Sequence, residues 1–598
     1  MKKWWIPVVV LAGVAAFLIV RTKPKDVAFT RQGGRPAETV ILNARVLTCN
    51  EARAKAEAVA VDAGKIAYVG RNAGAMDFIG PDTRVIQAKG KTLVPGLIDN
   101  HTHILFMAML RPMIVDLYDC RNLDEVRERT VAFAEANPDL PLVIGFGWFY
   151  DHVPGRIPEQ AMLDEWMPDR PTWLLAYDAC TLWVNSPMNE RMLAANPKAC
   201  RRMAPRTDPE TGRNTGIYMQ SNSFNPFDFL DVDAFGPELK SKMFAEARRA
   251  VAETLRMGVV AVEDLQIYKT FVPWILEFRD QGGLDDLRIR LAYYVDPIDL
   301  ENEEEWIADL RWWKALGEAE SDPRLELGTS LKLYIDGVSG NQTAFMSEPY
   351  ADAPDQYGYP SWTADSFKRL MELVDDHGMQ TCTHAVGDAG IPYILDAVEH
   401  SARRGTVRDA RHRIEHCELP SAADIARMVE LGVLAGMQPA QFYGDASTEK
   451  ALGEARLKRM MPWKTLQEAG VPISFGTDYI AGHIPPINPL YGLIVATTRI
   501  NYKGHTDWGP EQAIEPIDAL RHYTYGSAYA QKIETETGSI EVGKNADMAL
   551  FDVDLSRINS LWFLLTHEVE VGQLDDFVEW TMAGGRQVYR KDQAVARR

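Results

Sequence analysis

Cysteine is scarce, six residues in 598, and no two of them form a Cys-x-x-Cys pair. That excludes a disulfide scaffold, and Cys382 and Cys417 are expected to be small buried thiols. Basic residues are also short: 64 Lys and Arg stand against 84 Asp and Glu, a net charge of −20. Phosphate binding needs clustered cations, which this chain does not concentrate, so a nucleic-acid partner is excluded. No repeat recurs at solenoid periods. Hydrophobic residues at 46% and charged ones at 25% are ordinary for a globular chain with a large core.

Long apolar runs are missing too, with one exception. Lys2 and Lys3 precede Trp4 to Val20, which ends at Arg21, Lys23 and Lys25. Such a run is at the lower limit for a spanning helix, and no small-residue cleavage site closes it. Residues 1–25 are therefore expected to be an uncleaved transmembrane anchor, with 26–38 as linker. The membrane would be a partner, and the globular part would face the extracytoplasmic side.

What is present begins with short strands punctuated by glycine turns: Thr39 to Cys49, Ala56 to Val61, Ile66 to Val69 and Val85 to Ala88. Strand-like Met548 to Val553 and Phe577 to Val588 lie at the far end. Together they predict one composite β-sandwich domain from residues 39–93 and 535–598. Between them strands alternate with helical stretches. Candidate strands are Leu93 to Asp99, Gly258 to Leu265, Leu287 to Val295, Ser330 to Ile335, Gln380 to His384, Arg411 to His416, Gly432 to Met437 and Pro472 to Thr477. Eight strands separated by helices predict an α/β fold, a TIM (β/α)8 barrel over 94–534. Residues of about 104–236 read as an insertion after the first barrel strand, ahead of a helix from Pro237. Its aromatics, Trp148 and Trp183 among them, are either its own core or a substrate wall.

Chemistry starts at Asp99-Asn100-His101-Thr102-His103. Strand side chains alternate faces, so His101 and His103 point the same way and two imidazoles converge, a geometry that suits one metal ion. Alone the pair carries little, because a hydrogen-bonded, unmetallated strand end explains it as well. Four further residues fall at strand ends, where barrel enzymes place catalytic groups: Lys332, His384, His416 and Asp478. Each has a structural explanation, as a snorkelling lysine, core histidines and a loop cap. Their joint placement is what singles them out.

The motifs Val94 to His103, Lys332 to Gly337, His384 to Asp388, Arg413 to His416, Gly476 to Asp478 and Gly538 to Asp547 resemble those of the amidohydrolase superfamily. The likeness is greatest to its family 3 branch, which includes the N-substituted formamide deformylase type. The resemblance implies one or two divalent metal ions, zinc being the expected one. His101, His103 and Asp478 would hold the first, and His384 and His416 the second. Lys332 would bridge them if carbamylated, since a plain ammonium cannot ligate a cation. Asp388 and Glu415 are candidates for orienting neighbouring histidines, and Tyr334, Trp148, Trp183 and Asn185 for touching substrate. Cys180 departs from relatives that carry a histidine there, so no known specificity transfers.

A bound Zn2+ lowers the pKa of its water from 15.7 to about 7 and polarises a carbonyl. With Asp478 and Lys332 as catalytic groups, the expected reaction on a small-molecule substrate is hydrolysis of an amide, cyclic amide or related C–N bond. An inactive scaffold and a metal-assisted deaminase or isomerase stay open as alternatives. Homo-oligomerisation is open too.

Overall fold

The computed structural model describes residues 36–52, 55–154, 157–208, 210–220, 229, 236–297, 300–405, 409–442, 446–478, 488–500, 508–559, 574 and 576–595. The expected anchor and nearly all of its linker lie outside these residues. Among the described residues no helix is long and apolar enough to cross a membrane.

Eight strands form the central sheet: β1 (Leu97–Thr102), β2 (Val259–Ile267), β3 (Arg288–Tyr294), β4 (Leu325–Tyr334), β5 (Gln380–Ala385), β6 (Arg413–His416), β7 (Leu434–Met437) and β8 (Ile473–Phe475). Neighbours in sequence are neighbours in the sheet, and every pairing is parallel. The expected barrel is therefore present. Its seam joins β8 to β1: the Asp478 amide donates to the His101 carbonyl at 2.7 Å, and Asn100 Nδ2 donates to Ser474 Oγ at 2.9 Å. Gly476 permits this approach, since a Cβ there would stand 2.5 Å from the His101 nitrogen.

Strand alternation decides what fills the barrel. Successive inward residues, such as Arg413 and Glu415 on β6 or Cys382 and His384 on β5, are buried to 5% exposure or less. Bulky apolar residues usually fill such an interior. Here Arg413 instead bridges Glu263 and Glu415, Arg290 lies against Glu263, and Ser330 Oγ donates to Glu263 Oε1 at 2.7 Å. Each of these four buried charges has an opposite partner, without which burial would be prohibitive.

Both chain ends build two further sheets below the barrel. One, in spatial order, holds Lys65–Gly70, Ala58–Asp62, Thr39–Leu42 and Arg84–Gln87. The other runs Arg586–Arg590, Val578–Ala583, Met548–Phe551, Thr92–Pro95, Arg45–Leu47 and Lys55–Ala56. Ile41, Val59, Leu550 and Trp580 share one core between them. The single strand expected from Thr39 to Cys49 is split at Asn43, whose φ is 56°. The break lets the two halves join different sheets.

After β1 the chain makes a helix, Ile104–Leu110, and then a separate six-stranded sheet between Ile114 and Tyr218. Helix Pro237–Arg256 returns it to β2.

Candidate metal centre

All the strand-end residues singled out above meet at one end of the barrel. His101, His103, Lys332, His384 and His416 are each 6% exposed or less, and the Asp478 side chain is 8% exposed. His101 Nε2 and His103 Nε2 stand 3.4 and 3.1 Å from Asp478 Oδ1. That oxygen has no hydrogen-bond partner despite its burial. Ligand atoms on a tetrahedral ion at about 2.0 to 2.1 Å stand about 3.3 to 3.4 Å apart, so each of these two separations is close to what ligands of one cation show. Ligand atoms of His101, His416 and Asp478 also lie within 4.8 Å of one another.

The outer ring nitrogens dictate which lone pairs face inward. His103 Nδ1 is 2.8 Å from the Leu265 carbonyl, which can only accept, so Nδ1 carries the proton and Nε2 is free. His101 Nδ1 lies 2.7 Å from Glu415 Oε2, with the same result. His384 is reversed: its Nε2 donates to the Gly337 carbonyl at 2.9 Å, leaving Nδ1 as the ligand atom. Such outer partners hold the ring and its tautomer for metal binding. Neutral nitrogens and a carboxylate suit a divalent ion of borderline softness.

Electrostatics favour the neutral form of three of these histidines. Burial pushes His384 down to about 3 and lowers His101 and His416, with the Lys332 cation or neighbouring histidines adding to it. Burial likewise lowers Lys332, whose Nζ sits 3.3 Å from His101 Nε2. Burial works to raise Asp478, but His101 and His103 overcome it and hold the carboxyl well below its usual range. In Glu415 burial is outweighed by Arg413 and His101.

Backbone strain collects at the same place. His416 and Asp478 adopt left-handed φ values of 69° and 54°. At His416 the strand ends and alternation with it, so consecutive residues Glu415 and His416 both reach the ring of His101.

Several expected roles are reassigned. Asp388 does not orient a histidine: its carboxylate accepts from the Ser347 amide and hydroxyl at 2.7 and 2.8 Å. Asp336 stands nearer, 3.7 Å from His384 Nε2, while clamping the Val386, Gly387 and Phe345 amides. Trp148 and Trp183 are fully buried, donate to the Leu174 and Glu159 carbonyls, and pack edge to face. They are the insertion's core and not a substrate wall. Asn185 caps helix Ser186–Ala195 and ties down the Thr172 amide and the Met167 and Arg170 carbonyls, so it has no atom left for substrate. Tyr334 does border the centre, its ring 5.0 Å from that of His384 and its hydroxyl donating to Gln266 Oε1 at 2.6 Å.

Sequence reasoning missed Asp99, Asp264, Glu263, Gln438 and Gln441. Asp99 accepts from the Thr477 amide and hydroxyl and so ties β1 to the loop bearing Asp478; burial pushes it up to about 7. Asp264 accepts from the Leu105 amide at 2.6 Å, just beyond His103. Gln441 Nε2 donates to Asp478 Oδ2 at 2.6 Å, leaving only Oδ1 aimed at the histidines. One signal was available: Glu263-Asp264 interrupts an otherwise apolar strand, and buried acids need partners.

Known proteins resemble the chain over most of its length. The chain is 28% identical over 581 residues to Protein LONG AFTER FAR-RED 3 of Arabidopsis thaliana, covering 94% of this chain and 93% of that one. Putative amidohydrolase YtcJ of Bacillus subtilis is 26% identical, with 91% and 98% covered. N-substituted formamide deformylase of Arthrobacter pascens is 24% identical, with 86% and 94% covered. Among solved structures, an uncharacterized metal-dependent hydrolase from Pyrococcus horikoshii shares the fold, with a TM-score of 0.65 at 22% identity over 89% of this chain and 99% of that one. The sequence model of the amidohydrolase family matches residues 84–589. A barrel whose strand ends gather four histidines, a lysine and an aspartate, matched over most of its length by that model, places this chain in the amidohydrolase family.

Proposed function

We propose that the chain hydrolyses an amide, cyclic amide or related C–N bond of a small molecule at this centre, with Asp478 as general base. The observation that carries the reading is the convergence of two imidazole nitrogens on the unpartnered Asp478 Oδ1. His101, His103 and Asp478 would hold one divalent ion, zinc by preference of the donor set, and His384 and His416 a second. When bound, such an ion supplies Lewis acidity toward a carbonyl and a water acidic enough to react near neutral pH.

The chain's own residues do the rest. Asp478, an ionised carboxylate, takes the proton from the attacking water and returns it to the leaving nitrogen. Gln441 keeps its Oδ2 occupied, so the carboxylate cannot rotate away. Lys332 is buried and its ammonium disfavoured, which suits the amine that addition of CO2 requires; carbamylated, it would become a bridging ligand. Tyr334, Gln266 and Tyr268 form a hydrogen-bonded chain beside His384 that can position the substrate carbonyl. Residues 1–25 would tether this enzyme to a membrane with the barrel on the extracytoplasmic side.

The test measures metal content and carboxylic acid release on a panel of N-substituted formamides, cyclic amides and simple amides. Formamides head the panel because the Arthrobacter relative bears that name. Acid release that disappears with chelation and returns with zinc is expected. Full turnover by metal-free protein would overturn the reading, while release of ammonia without a carboxylic acid, or of a rearranged substrate, would move the chain to the deaminase or isomerase classes. Carbonate extraction of the full-length chain from membranes checks the tether; release into the soluble fraction would exclude a spanning anchor.

A further inference from the structure

A second polar site lies at the junction of insertion and barrel. A cavity of about 310 Å³ is lined by Arg201, Arg202, Ala204, Tyr359, Pro360 and Ser361. Two guanidinium-bearing residues and two hydroxyl-bearing ones thus share one recess. Arg202 Nε and the Tyr359 hydroxyl are buried without a hydrogen-bond partner. Buried donors of this kind normally find an acceptor, since leaving one unmet costs about 1 to 3 kcal/mol.

The recess is tied to the end of β4, the strand that carries Lys332 and Tyr334. Its floor, Tyr359-Pro360-Ser361, is pinned by the Ser361 amide donating to the Ile335 carbonyl at 2.7 Å, three residues beyond Lys332. The next residue, Trp362, donates from Nε1 to the Tyr334 carbonyl at 2.9 Å. Gln220 from the insertion closes the seam, donating to the Tyr359 and Thr343 carbonyls and accepting from Ser361 Oγ at 3.3 Å. Arg201 and Arg202 end helix Pro197–Arg202, itself capped by Asn196. The positive side is therefore contributed by the insertion and the hydroxyl side by the loop that follows β4.

We infer that this recess binds an oxyanion, a carboxylate or phosphate group, through the guanidinium groups of Arg201 and Arg202 and the hydroxyl of Tyr359. Guanidinium forks match the paired oxygens of such groups, and the hydroxyl donor completes the shell. The volume holds a carboxylate or phosphate with several attached carbons, so the anion is either free or the tail of a molecule whose other end lies at the metal centre. The tail option rests on the hydrolytic reading above; the oxyanion site itself does not.

The test titrates inorganic phosphate into the metal-loaded full-length protein by calorimetry, alongside Arg202→Gln, Arg201→Gln and Tyr359→Phe. Saturable binding that weakens with added salt is expected. It should fall at least tenfold in Arg202→Gln and in Arg201→Gln, and less in Tyr359→Phe. Arg201 is exposed, so its variant tests the site even if Arg202→Gln does not fold. No saturable binding by the parent protein, or equal affinity in both arginine variants, would overturn the assignment. A second arm compares KM for an amide bearing a terminal carboxylate with that for its neutral methyl ester. A rise in KM in Arg201→Gln confined to the carboxylate substrate assigns the oxyanion to the substrate. Phosphate binding lost in the variants with both KM values unmoved assigns it to a free anion. If no amide is turned over at all, the hydrolytic reading fails while the calorimetry still decides the oxyanion site.

Discussion

The metal centre and the insertion core both bury polar side chains, yet their polar atoms are in opposite states. Around Trp148, Trp183 and Asn185, both indole nitrogens and both atoms of the amide have partners. Around Asp478, ring nitrogens and a carboxylate oxygen crowd to 3.1 to 3.4 Å and Oδ1 stays unpartnered. Both clusters are buried, so burial does not distinguish them. What does is whether the hydrogen-bonding capacity is used up within the fold or left aimed at a common point.

The largest effect expected from that contrast is at the centre itself. Asp478→Ala and His103→Ala should each cut kcat/KM by roughly 1000-fold or more, as loss of a general base or ligand does. His103→Ala should also lower bound metal, measured by atomic emission, with an unchanged unfolding midpoint for the metal-free protein. Trp148→Ala should behave in the opposite way. Removing a fully buried indole costs about 3 to 5 kcal/mol of stability, read by urea unfolding, while metal content per folded molecule stays at the parent value. A normal midpoint with lost activity would place Trp148 in the site after all.

Glu415→Gln probes the border between the two states, because Glu415 is satisfied itself and keeps His101 Nε2 free. Metal affinity should fall roughly 10- to 100-fold, as is usual when such an outer partner is lost. An affinity equal to the parent's would show that His101 needs no such hold. The smallest effect concerns His412, four residues before His416 and part of a structural pair. His412 Nε2 lies 3.0 Å from Asp375 Oδ1. Burial acts to raise Asp375, but the hydrogen bond and charge of His412 leave it below its usual value. A depressed carboxyl stabilises the fold above its unfolded pKa, and that contribution is lost as pH falls through the folded value. Asp375→Asn should therefore cost on the order of 1 kcal/mol at pH 7, shrinking below about pH 3.8. A deficit constant with pH would assign the pair's stability to packing instead.

Much of the centre was legible because barrel chemistry sits where strands end. His101, Lys332, His384 and His416 stand at or near the C-terminal ends of their strands and Asp478 three residues beyond β8, and the fold brings those ends together. Outer partners were less legible. Asp388 is three residues beyond the end of its histidine's strand, but its loop turns it toward Ser347; Asp336, two residues beyond the neighbouring strand, lies against His384 instead. Asn185 and the tryptophans read as site candidates because a motif records residue types and not which hydrogen bonds they have already made.

Local sequence was thus sufficient for the periodicities that make strands and helices, for the chain order of the barrel, and for the ligand types at its rim. These depend on neighbours one to four residues apart. Only the tertiary structure decided which imidazole nitrogen faces the centre, which carboxylate holds which ring, and that Arg201 meets Tyr359 across a seam 158 residues long in sequence. Those choices depend on distances between segments that no local pattern specifies. They are settled by the requirement that each buried polar atom find a partner or a ligand.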